Sequence, residues 1–339
     1  KTKTFLVTGA TGLIGSHIIE KLLDMENARI IALSLTESKL KKMFGKHDGG
    51  GKLECIAKDM GIGFDLDSIS PDSPVDVVFH AASPISRQMF REQPVNVIRP
   101  NLIAMESILE GLVKQQRETG INGRLVVFSS IAVYGMNSEC DITISEPDTQ
   151  YTEGLNGVNI AYSESKRMVE VMSQAYAKQY NVDVVIARLS AVYGATPYPP
   201  DIPIYEFINN AFQNEDIRLK SSGLPKRDNI YIDDTVSALF AILEKGKTAE
   251  AYNVGGNLEN FVPYDEIAEI IAEISSKELS NKIKVIYESP RTQSRKPGIM
   301  LDTGKLESLG WKPSVGLYDG LRSTILRQRA IYERKREYT

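Results

Sequence analysis

In the first half of the chain, short unbroken apolar runs alternate with longer stretches whose apolar positions recur at helical spacing. The runs Phe5–Thr8, Arg29–Leu33, Leu53–Ala57, Val75–His80, Leu125–Ser129 and Val182–Arg188 are rich in β-branched residues and predict strands. Leu13–Leu23, Val97–Lys114 and Ala161–Gln179 predict helices between them. Strands apolar on both faces need cover on both faces. The alternation therefore predicts an α/β fold, a doubly wound parallel sheet of Rossmann type. Right-handed crossovers would give it a ligand crevice outside the carboxyl ends of the strands, where the strand order reverses.

Beyond Arg188 the pattern shortens. Thr196-Pro197-Tyr198-Pro199-Pro200 and Pro203 interrupt regular structure. Later segments predict a helix at Ile204–Gln213, strands at Asn229–Ile232 and Tyr252–Val254, and helices at Asp265–Ile274 and Val315–Glu333. These pieces read as a smaller, discontinuous mixed α/β substrate lobe. The dinucleotide-type domain would take residues 1–188 and about 229–256, and the lobe about 189–228 and 257–339. A chain of 339 residues exceeds what one hydrophobic core usually organises, which agrees with this division.

Composition narrows the function classes. A net charge of -4 gives no reason to expect nucleic acid or an anionic membrane as partner. No apolar run reaches the ~18–20 residues of a membrane span. The first residues read directly into a strand, predicting no cleaved leader and a soluble, cytoplasmic protein. Cys55 and Cys140 stand far apart and read as reduced thiols. His17, His47 and His80 form no ligand cluster, so no metal is expected.

Three motifs carry chemistry. Gly9, Gly12 and Gly15, in Thr8-Gly9-Ala10-Thr11-Gly12-Leu13-Ile14-Gly15, follow a strand and open a helix. In that context the glycines allow a tight turn, close approach of backbone to a pyrophosphate, and close packing of helix on strand. Thr11, Leu13 and Ile14 would offer backbone amides to the phosphates. Tyr162 and Lys166 lie four residues apart on one helix face, where an ammonium could stabilise a phenolate. Ser129-Ser130 ends the strand that precedes them.

The spacing Gly-x-x-Gly-x-x-Gly, together with the later motifs, resembles the extended short-chain dehydrogenase/reductases, specifically the NAD(P)-dependent nucleotide-sugar epimerase/dehydratase family. Along nearly the whole chain, Lys58-Asp59-Met60 resembles the pair that holds the adenine, and His80-Ala81-Ala82-Ser83 the loop along the cofactor. Asn101, Val126-Val127-Phe128-Ser129-Ser130, Val133-Tyr134-Gly135, Arg227-Asp228-Asn229-Ile230-Tyr231-Ile232-Asp233-Asp234 and Tyr252-Asn253-Val254-Gly255-Gly256 continue the match. The resemblance implies Ser130, Tyr162 and Lys166 as catalytic set. Tyr162 would serve as general base, with its pKa depressed by Lys166, and Ser130 would share its proton. It further implies Ser34, Lys39, Asp59, Met60, Ala81, Ala82, Ser83, Asn101 and Leu189 beside NAD or NADP. Arg227, with Arg291 or Arg295, would hold the diphosphate of a nucleotide sugar. A homodimer through Val97–Lys114 and Ala161–Gln179 is implied as well.

Departures from the family pattern limit the reaction. Ser34 stands where NAD enzymes usually carry an acid, with Lys39, Lys41 and Lys42 nearby. NADP is thus open, although Glu37 could serve NAD if the register shifts. Ile131 and Ala132 follow Ser130 where dehydratases carry Asp-Glu and decarboxylases a Glu. Neither supplies an acid or a base. Ala191, in Arg188-Leu189-Ser190-Ala191-Val192-Tyr193-Gly194, replaces a diphosphate-binding Asn, so Ser190 or the arginines must compensate. A nucleotide-sugar 4-epimerase working through a transient 4-keto sugar leads. The alternative is an NADPH-dependent reductase of a 4-keto nucleotide sugar or small carbonyl. Behind both stand a decarboxylase-like enzyme and a non-catalytic dinucleotide-binding protein.

Overall fold

The computed structural model describes residues 2–135, 140–148, 154–219, 226–288 and 297–337. The chain begins β1 (Lys3–Thr8), α1 (Leu13–Leu23), β2 (Ala28–Ser34), α2 (Glu37–Phe44), β3 (Leu53–Ala57), α3 (Leu66–Ile69) and β4 (Val77–His80). It continues α4 (Arg87–Glu92), α5 (Pro94–Thr119), β5 (Arg124–Ser130), β6 (Ile142–Ile144), α6 (Ile160–Tyr180), β7 (Asp183–Leu189) and β8 (Ala191–Tyr193). Then come α7 (Pro203–Gln213), β9 (Ile217–Leu219), β10 (Arg227–Tyr231), α8 (Ile232–Lys245) and β11 (Ala251–Val254). The last elements are β12 (Phe261–Val262), α9 (Tyr264–Glu278), β13 (Val285–Tyr287), β14 (Ile299–Leu301), α10 (Gly304–Glu307) and α11 (Leu317–Glu337).

Seven strands form one parallel sheet in the order β3-β2-β1-β4-β5-β7-β11. The order reverses between β1 and β4, so a crevice opens at their carboxyl ends. Each central strand is apolar on both faces because each face is covered. Ile18, Ile19 and Leu22 of α1, Leu40 and Phe44 of α2 and Leu239 of α8 fill one side. Leu66 of α3, Ile108 and Leu112 of α5 and Val169 of α6 fill the other. Pro94 is tolerated at the first turn of α5, where its missing N–H has no partner to lose. That helix ends at Gly120, whose φ of 73° suits glycine.

A second sheet, β12-β10-β14-β6 with β8 on β10, stands at the crevice. Its pairs are parallel except β10 with β12. The chain enters this sheet at β6, β8, β10, β12 and β14 and returns to the large sheet for β7 and β11. Helices α7, α9 and α11 share one hydrophobic core with α1 and α8, through Ile204, Ile208, Ile271 and Leu321. The two sheets are thus packed into one body around the crevice.

Candidate active site

The loop from β1 into α1 is a cradle that side chains would fill. Gly9 has φ of 66°, and a Cβ there would lie 2.8 Å from the backbone of Ala81 and Ala82. A Cβ on Gly15 would collide with the Gly9 carbonyl. At Gly12 it would meet only that oxygen, at 3.2 Å, so the outer face of the loop stays clear for a ligand. Thr8 Oγ1 lies 2.9 Å from His80 Nδ1 and accepts from the Ala82 amide at 3.1 Å, tying β1 to the loop after β4. Burial and then the charge of Lys166 push the His80 pKa down to about 3, so this imidazole is neutral.

Ser34 is the last residue of β2, and its hydroxyl is 2.7 Å from Thr11 Oγ1. Glu37 begins α2 and pairs with Lys41 at 2.5 Å on the surface. The register therefore puts Ser34, and not Glu37, at the strand end. Lys39 places its ammonium 4.6 Å from the centre of the Tyr198 ring. Asp59 caps a short turn by accepting from the Gly61 amide at 2.8 Å, beside buried Met60. Asn101 donates to Ser165 Oγ at 2.9 Å, one residue before Lys166. Ser83 Oγ and Asn101 Oδ1 are buried with no partner. A glycine cradle closed against the loop that carries Ser83, whose buried hydroxyl has no partner, fits a dinucleotide.

The reactive groups converge at the end of β5. Strand alternation sends Ser129 and Ser130 to opposite faces. Ser129 donates to Glu170 at 2.5 Å, whereas Ser130 turns into the crevice, where its oxygen accepts from the Ala132 amide at 3.2 Å. Ser130 and Tyr162 line one cavity of 480 Å³, together with Ile131, Ala132, Ala191 and Arg227. The ring of Phe90 on α4 stacks on that of Tyr162, centroids 5.0 Å apart. Burial raises the Tyr162 pKa, against a hydrogen bond with Ser130 that lowers it.

Lys166 differs from expectation. Its ammonium donates to the Phe128 carbonyl at 2.7 Å and lies 5.9 Å from the Tyr162 ring centre. Its own pKa is pushed down to about 8 by burial, with Glu170 acting in the opposite direction. One of its N–H groups is thus directed at the strand and not at the phenol. Arg227 also lines the cavity, with its Nε buried and without a partner. Arg291 and Arg295 lie outside the described residues.

A sequence model of the NAD dependent epimerase/dehydratase family matches residues 5–255. The chain belongs to that family. UDP-glucuronic acid decarboxylase 5 of Arabidopsis thaliana is 29% identical over 320 residues, covering 93% of this chain and 86% of that one. Among solved structures, UDP-glucose 4-epimerase of Thermotoga maritima, crystallised with UDP-glucose, superimposes with a TM-score of 0.81. It is 23% identical over 97% of this chain and 99% of that one. The dTDP-glucose 4,6-dehydratase of Bacillus anthracis, in complex with NAD, reaches 0.78 at 25% identity, over 99% and 98%.

This epimerase/dehydratase-family protein is thus an extended short-chain dehydrogenase/reductase of Rossmann type, and its cofactor is NAD or NADP. The family comprises nucleotide-sugar epimerases, dehydratases and decarboxylases. Among the described residues no helix is long and apolar enough to cross a membrane. Sequence reasoning overlooked Phe90, Tyr198, and the buried pair of Arg188 and Glu170, joined at 2.7 Å. Glu170 was within reach. It stands four residues after Lys166, on the same helix face. Phe90 sits on a six-residue helix and Tyr198 in an irregular stretch, and the aim of both depends on tertiary packing.

Proposed function

We propose that this protein is a nucleotide-sugar 4-epimerase acting through a transient 4-keto sugar. The observation that carries the reading is the cavity wall beside Ser130, where Ile131 and Ala132 present no acid or base. Elimination of water or loss of carboxylate needs further proton-transfer groups there. The one carboxylate among the described lining residues, Asp228, spends its oxygens on the amides of Gly256 at 2.8 Å and Leu301 at 3.0 Å. A reaction confined to one carbon needs only Ser130 and Tyr162.

When bound, the nicotinamide would supply the hydride acceptor and donor for the carbinol carbon. Tyr162 would take the hydroxyl proton, with Ser130 holding the same oxygen, and give it back in the second half-reaction. Phe90 covers the phenol ring and keeps water from its face. Arg227 would hold the diphosphate through paired N–H groups, as its partnerless Nε suggests. Incubation of purified enzyme with UDP- and dTDP-hexoses, followed by proton NMR, should show inversion at C4 with no net consumption of dinucleotide. Tyr162→Phe should abolish inversion while binding dinucleotide as the parent does.

One observation favours a second reading. Ser34 at the end of β2 puts no carboxylate there to repel a 2′-phosphate, as an NADPH-dependent reductase of a 4-keto nucleotide sugar would require. Steady oxidation of added NADPH by a 4-keto substrate would replace the epimerase proposal. We also read Met168 and Val171, 47% and 57% exposed on α6, as a face for a second copy. A monomer in sedimentation velocity would sink the homodimer.

A further inference from the structure

After β7 the chain leaves the large sheet, pairs as β8 with β10 of the second sheet, and then comes down beside α2. Leu189 ends β7, while Lys39 lies in α2, which follows β2. In the sheet order β7 and β2 stand four spacings apart, about 19 Å at ~4.8 Å each. The residues from Leu189 to Tyr198 reach at most about 30 Å when extended. The Tyr198 ring nonetheless meets the Lys39 ammonium at 4.6 Å. Leu189 and the start of α2 both lie at the carboxyl edge of the sheet, so the intervening chain bridges from the β7 side to the β2 side of the edge at which such sheets hold their ligand.

The base of this crossing is fixed. A Cβ on Gly194 would collide with Ile232, the first residue of α8. The Gly194 carbonyl accepts from Tyr205 at 2.7 Å. Both backbone groups of Thr196 bond the buried Gln328 side chain at 3.0 Å. Beyond it Pro197, Pro199 and Pro200 restrict the backbone. The tip, at Tyr198, reaches the other bank. There Ser34, five residues before Lys39, is bonded to Thr11 of the glycine loop.

We propose that residues 194–200 form a strap across the phosphate end of the dinucleotide, with Tyr198 a cofactor-holding residue from the small lobe, latched onto Lys39. The inference rests on the family's cofactor and on this geometry, not on the choice between epimerase and reductase. It gives Lys39 a role other than reading a 2′-phosphate: its charge is spent on an aromatic face. A latched strap slows dinucleotide release, which suits an enzyme that regenerates its cofactor in every cycle.

The test loads the full chain with NADH or NADPH, removes the excess by gel filtration and follows release by loss of bound-nicotinamide fluorescence. Tyr198→Ala should speed release about two- to thirtyfold, the range that cation–π contacts cover. Tyr198→Phe keeps the aromatic face and should stay within about twofold of the parent. Lys39→Ala should match Tyr198→Ala, and the double variant should release no faster than either. Parental release rates in both single variants, or effects that add in the double variant, would overturn the strap. If Tyr198→Ala does not fold, as judged by circular dichroism, Lys39→Ala and Tyr198→Phe still decide. Failure of C4 inversion with altered release rates would sink the epimerase reading alone.

Discussion

Replacing Glu170 by glutamine should destabilise the protein by about 3–5 kcal/mol, because it leaves a buried guanidinium without its counter-charge. The Arg188 side chain is 8% exposed and that of Glu170 13%, so water does little to offset the loss. Arg188 donates to the carboxylate through Nη2 at 2.7 Å and Nε at 3.0 Å, and the Ser129 hydroxyl bonds the same group. Glutamine preserves the shape but turns an N–H donor toward one of these donors. Tyr134 and the Glu146 carbonyl, each 2.8 Å from Arg188 Nη1, remain and place the effect toward the lower end. Urea denaturation of Glu170→Gln, Arg188→Met and the double variant measures the coupling. The double variant should cost less than the sum of the singles by about 2 kcal/mol or more, since it removes both charges together. A Glu170→Gln cost under about 1 kcal/mol, or strict additivity, would refute the argument. The substitution also removes the group that opposes burial in holding the Lys166 pKa at about 8. The pH–rate limb belonging to Lys166 should then move to lower pH.

Other outcomes follow from the same geometry. His80 has its folded pKa depressed to about 3, so its neutral form contributes stability that is complete above about pH 6.5 and lost as pH falls toward 3. Within that window it should contribute about 1.4 kcal/mol per pH unit to acid destabilisation, and His80→Asn should flatten the denaturation-versus-pH curve by that slope. Gly15→Ala forces a methyl onto the Gly9 carbonyl and should cost about 1–3 kcal/mol. It should also weaken dinucleotide binding in calorimetry, and unchanged binding would contradict the cradle. Arg227→Lys keeps the charge but loses the fork, so KM for a nucleotide sugar should rise about tenfold with kcat nearly unchanged. An equal fall in kcat would instead place Arg227 in the chemical step.

The large sheet was legible because each strand is a continuous apolar run between helices of clear period. Leu13–Leu23 and Leu53–Ala57 appear with the bounds that the pattern predicts. The helix predicted at Val97–Lys114 runs from Pro94 to Thr119. Proline is permitted in its first turn, and packing against α6 and α3 carries it through Pro100. Strands β6, β12 and β14, of two or three residues each, were not legible, since nothing local distinguishes such a strand from a loop. They exist because β10 and its neighbours offer partners from distant parts of the chain. The site divides in the same way. Glycine spacing and Tyr-x-x-x-Lys are local signals, and both reach the crevice. Which atom the Lys166 ammonium meets is a tertiary fact.

The pairing of the second sheet also has a consequence for synthesis. A ribosome delivers the last strand of the dinucleotide sheet when it reaches Val254, and the glycine cradle can then close. The cavity wall at Ile299 is not yet made, and Gln328, which anchors Thr196, lies 132 residues after its partner. A nascent chain can thus complete the sheet for its dinucleotide well before it can secure the strap above it. Completion of the crossing over the crevice therefore waits on α11, the helix that carries Gln328.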